Sequence, residues 1–93
     1  MSAEWPEVID YRAYGVRCSL YVLAAGEAIP RHKHTRWGHK LLVADGAVRF
    51  TKELHQRDVE APALLSVEPQ LEHEVVATRR SVVVSIFGEE GSV

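Results

Sequence analysis

The sequence predicts an all-β domain, a barrel or sandwich of antiparallel strands. Short runs rich in Val, Ile, Leu and Tyr are separated by turn signals, and no segment repeats its apolar residues at helical spacing. No internal repeat or low-complexity stretch interrupts this pattern. The 93 residues suffice for one domain over 1–93 with a modest core, burying roughly 60–65% of the unfolded chain's surface.

Each element follows from local composition. Met1 to Glu7 reads as an N-terminal arm in which Pro6 limits regular structure. Val8-Ile9 and Arg17 to Ala24 read as strands, with a turn near Tyr14-Gly15, and the barrel core is expected over about 17–87. Ala25-Gly26-Glu27 is a turn, Ala28 to His34 a strand, and Thr35 to Gly38 a loop. His39 to Val43 and Ala47 to Lys52 read as strands joined by a hairpin turn at Asp45-Gly46. The polar stretch Glu53 to Asp58 reads as a loop or hairpin tip. Leu64 to Val67, His73 to Ala77 and Ser81 to Phe87 complete the strands, and Gly88 to Val93 forms a tail. Phe50, Leu65, Ile86 and Phe87 are core candidates.

Two runs, Leu41-Leu42-Val43 and Val82-Val83-Val84, are apolar on both faces. One face of each belongs to the interior, so something must cover the other. A homodimer is expected; the chain's own arm is the alternative. The net charge of -2 and the absence of a basic block exclude an electrostatic footprint for nucleic acid. No apolar run reaches the length of a membrane span. Met1 to Trp5 lacks the regions of a signal peptide, and the lone Cys18 cannot form an internal disulfide. A cytoplasmic protein is the expectation.

The histidines carry the chemistry. His32-Lys33-His34 places two imidazoles at i and i+2, on one face of a strand. On the next strand His39 shares a face with Leu41 and Val43, whereas Lys40 suits solvent. His73 lies opposite in direction to its neighbours Glu72 and Glu74, which alternation removes from the site. An interior site of His32, His34, His39 and His73 results, with no carboxylate in it. His55 lies in a polar segment and reads as a solvated loop residue. Trp37 and Tyr21 are candidates for the pocket wall; Cys18, at odd separation from Tyr21, should face the other way. No Ser-His-Asp order or phosphate-cradling glycine loop stands out.

With its glycines this pattern resembles the cupin superfamily. The first cupin motif reads here as Gly26, five residues, His32-Lys33-His34, four residues, His39, six residues and Gly46. Its one departure is His39, where the family usually has Glu. The second motif reads Pro69-Gln70-Leu71-Glu72-His73, with Ala63 and Leu71 where glycines are usual. The resemblance implies a small jelly-roll β-barrel that holds a metal on His32, His34, His39 and His73. An all-imidazole set suits zinc, nickel, copper or iron(II) more than manganese. Four histidines in a tetrahedral zinc site would leave no open position and look structural. An octahedral metal, or one held by three histidines, would leave room for a small-molecule substrate or oxygen. The implied function is therefore a metal-dependent oxygenase, isomerase or lyase, or a non-enzymatic ligand-binding or sensing module with a structural metal. A protein-interaction domain, resting on the doubly apolar strands alone, is a third reading.

Overall fold

The structure is a computed structural model that describes residues 8–32 and 39–88. Among these residues the chain forms nine strands: β1 (Val8–Ala13), β2 (Val16–Leu23), β3 (Ala28–His32), β4 (His39–Asp45), β5 (Ala47–Lys52), β6 (His55–Glu60), β7 (Ala63–Val67), β8 (His73–Ala77) and β9 (Ser81–Gly88). They build an antiparallel jelly roll of two sheets, in the orders β1-β2-β9-β4-β7 and β3-β8-β5-β6. No helix of the described residues is long and apolar enough to cross a membrane.

The core lies between the sheets and follows strand alternation. Tyr21, Leu23, Leu41, Val43, Leu65, Val67 and Val83 enter it from the five-stranded sheet, and Ile29, Val48, Phe50, Val59, Val75 and Ala77 from the other. Of the expected core residues, Phe50 and Leu65 are buried, whereas Phe87 is half-buried at the end of the interior. Ile86 lies on the outer face of its sheet: it pairs with Cys18 and Lys40 and alternates with buried Ser85.

Three local readings change. β1 runs on to Ala13 before a two-residue turn in which Tyr14 (φ 52°) and Gly15 (φ 74°) both take positive φ, as a type I′ hairpin needs. The polar stretch after Lys52 is a strand: Glu53-Leu54 makes the turn and β6 returns along β5, pairing Lys52 with His55 and Arg49 with Asp58. β6 is an edge strand that buries only Val59, so it shows no apolar alternation to read.

The third change concerns Asp45-Gly46. β4 pairs with β7 and β9, and β5 with β6 and β8, so the turn is not a hairpin but the corner where the chain passes from one sheet to the other. Gly46 takes φ 88°, and a Cβ there would run into the Arg80 carbonyl oxygen, Ser81 Oγ and Ser81 Cα. The corner is held from below by fully buried Ser81, whose Oγ accepts from Ala47 N at 3.0 Å and donates to Arg79 O at 2.7 Å. Ala61 N donates to the Gly46 carbonyl at 3.0 Å. A turn sequence reveals the backbone conformation, not whether the strands it joins share a sheet.

Candidate metal and ligand site

His39 opens β4 and His73 opens β8, so each stands where a strand enters the barrel from the same end. Both are buried, at 3% and 1% exposure, although 34 residues separate them in sequence. Their rings approach to 5.1 Å between centroids, and His39 also stacks on Phe87 at 4.6 Å. His73 Nδ1 lies 3.0 Å from the Leu71 carbonyl oxygen. That bond fixes the proton on Nδ1 and presents the lone pair of the neutral ring at Nε2. Glu72 is exposed and ion-pairs with Arg31 at 3.4 Å, and Glu74 pairs with Thr51 on the outer face. Neither carboxylate faces the two histidines.

The backbone sets His32 directly across from His73, and a β-bulge makes this possible. Ile29 pairs with Val75 and His32 with His73, so three steps along β3 match two along β8. Ile29 is buried, Arg31 is exposed, and the extra residue falls next to Pro30, which has no N–H to give the ladder. Unbroken pairing from Ile29 would have set the His32 backbone opposite Glu72 instead of His73. His34 and Trp37 lie outside the described residues. Among the described residues no three His, Cys, Asp or Glu side chains gather as a metal-ligand group.

A pocket of about 230 Å³ opens over the two histidines. Ile29, Leu41 and Val75 form its apolar wall; Arg17, Ser19, Tyr21 and Ser85 supply polar groups, and Phe87 closes one side. Tyr21, expected as a wall residue, is there, and Cys18 lies on the opposite face of β2. Burial, helped by Asp10 and opposed by Arg17, holds the Tyr21 phenol above its ordinary pKa. Ser19 is buried and its Oγ donates to Asp10 Oδ1 at 2.5 Å. No carboxylate lines the pocket among the described residues.

Arg17, Ser19 and Ser85 are the residues that motif reading misses. Alternation could have found them: Arg17, Ser19 and Tyr21 share one face of β2, and Ser85 sits between Val83 and Phe87 on β9. A larger cavity of about 410 Å³ opens where β6 and β7 form the edges of the two sheets. It holds His55, which is exposed on β6 rather than in a loop, but neither His39 nor His73. The chemistry-bearing residues therefore point to the smaller space.

The spacing of the two described imidazoles fits a shared divalent metal. Two imidazoles on one ion, with metal–nitrogen bonds of about 2.0–2.1 Å, have ring centres about 4.5–5.2 Å apart. The His39–His73 separation of 5.1 Å falls in that range.

The fold is similar to that of several solved cupin structures. A cupin superfamily protein from Desulfitobacterium hafniense superposes with a TM-score of 0.79 at 18% identity, over 97% of this chain and 84% of that one. A cupin protein from Bacteroides fragilis gives 0.81 at 19% identity, covering 100% of this chain and 85% of the other. KdgF from a Halomonas species gives 0.78 at 18% identity, over 86% and 75% of the two chains. No protein-family model matches the sequence, and no curated protein does.

Proposed function

We propose that this chain is a metal-binding cupin that holds a divalent transition metal on His32, His34, His39 and His73 and binds a small molecule beside it. The observation that carries the reading is the convergence of buried His39 and His73, 5.1 Å apart, at a polar-walled interior pocket. The metal, when bound, supplies a Lewis acid that attracts anionic or enolizable ligands and acidifies bound water. Leu71 orients His73 through its carbonyl. Phe87 backs the His39 ring, and Ile29, Leu41 and Val75 exclude water from one side of the pocket. Tyr21, held neutral well into alkaline pH, is a hydrogen-bond donor there rather than a base.

One observation favours a binding or sensing role over turnover. The described pocket wall contains no carboxylate of its own, its phenol is held protonated, and the nearest acid, Asp10, is engaged by Ser19 Oγ. A metal-dependent oxygenase, isomerase or lyase would have to draw its base from the metal-bound solvent.

The test is metal content by inductively coupled plasma mass spectrometry after expression with iron, zinc, nickel and copper available. We expect near-stoichiometric metal in the wild type and His55→Ala, and loss of most of it in His34→Ala and His73→Ala. Less than about 0.1 metal per wild-type chain, or equal content in all four proteins, would contradict the proposal.

A further inference from the structure

We infer that Arg17 is the anion-binding residue of the pocket and that the molecule held there is a small carboxylate. The inference rests on reading the pocket as a ligand site and names the class of its ligand. Arg17 stands on the inner face of β2, with its guanidinium carbon 5.5 Å from the centre of the Phe87 ring. Phe87 in turn stacks on His39. The cation is thus fixed over the same aromatic plate that backs one of the two buried histidines.

The hydrogen-bonding capacity of Arg17 is not used up. Its Nε is buried and has no acceptor among the described residues. The nearest acid, Asp10, reaches only Nη2, at 3.8 Å, which is longer than a hydrogen bond, and the same Asp10 oxygen already accepts from Ser19. Arg17 is half-exposed, so a ligand can reach its guanidinium from the pocket mouth, and a carboxylate turned toward the Nε edge would supply the missing acceptor in a two-point bond. A buried polar N–H left without an acceptor costs free energy, so a ligand that supplies one is favoured.

Among the described residues that line the pocket, Arg17 is the one permanently charged side chain; Lys52 and His55 line the larger cavity instead. A volume of about 230 Å³ equals about eight waters at about 30 Å³ each, which suits an acid of roughly ten heavy atoms or fewer.

The experiment uses metal-free full-length protein and follows the arginine Nε–Hε signals by NMR. Pyruvate and malonate are titrated against their neutral counterparts, pyruvamide and malonamide. We expect a saturable shift of the Arg17 signal with the carboxylates and none with the amides. Arg17→Lys, which keeps the charge but loses the fork, should bind about tenfold more weakly, and Arg17→Gln should not bind saturably. Circular dichroism verifies that both variants fold. No saturable shift up to 50 mM of either acid, equal affinity in Arg17→Gln, or equal binding of the amides would overturn the inference. Because no metal is present, these outcomes are independent of the metal-content test on His34 and His73.

Discussion

Replacing Gly46 by alanine tests the corner on which the two-sheet architecture turns. Gly26 provides an internal control, because both glycines take φ 88° and a Cβ at Gly26 would meet nothing within 4 Å. The conformational cost of alanine at this φ, about 1–2 kcal/mol, is therefore common to both. What differs is space. At position 46 the new methyl overlaps the Ser81 hydroxyl and also the Arg80 carbonyl oxygen and Ser81 Cα, which are backbone and cannot rotate away. Moving that segment also lengthens the Ala47 N–H bond to Ser81 Oγ, now 3.0 Å, inside a buried corner. An impaired buried hydrogen bond costs about 1–3 kcal/mol, and forced overpacking costs about as much again. Gly46→Ala should therefore destabilise by about 2–6 kcal/mol more than Gly26→Ala. Urea denaturation of the two variants and the wild type measures the difference directly. Equal losses, within about 0.5 kcal/mol, would show that the corner does not pack as described.

Other consequences can be measured in the same way. Ser81→Ala leaves the Ala47 N–H without its buried acceptor and should cost about 1–3 kcal/mol in urea denaturation. Tyr21 is held above its unfolded pKa of 10.0, so the folded state keeps the phenolic proton longer than the unfolded state does. Its contribution is full below about pH 10 and is lost as pH rises through the folded pKa, so metal-free wild type should lose more stability between pH 9.5 and 11 than Tyr21→Phe. Identical pH slopes would remove Tyr21 from the buried pocket wall. His39→Glu should shift metal preference toward manganese in competition assays; an unchanged profile would place residue 39 outside the ligand set.

Much of the architecture is legible because alternation is legible. Leu41 and Val43 on β4, and Val75 and Ala77 on β8, declare their buried face by period two. β6 does not, because an edge strand with one buried residue has no pattern to show. Pairing partners were equally hidden: Asp45-Gly46 reads as a hairpin until the register shows β4 and β5 in different sheets. In the candidate site, His39 and His73 were readable from spacing and strand parity. The bulge near Pro30 was not: it sets His32 in register with His73, and it depends on how β3 meets β8. Arg17 carries no motif to mark it, and only the register beside Phe87 places it at the pocket.

The central claim is that the pocket over His39 and His73 holds a metal. An anomalous-scattering map, collected from a crystal at the absorption edges of zinc, iron, nickel and copper, tests it most directly. The account predicts one peak about 2.0–2.2 Å from His73 Nε2, shared with His39. No peak in the barrel, or a metal bound away from both rings, would contradict it.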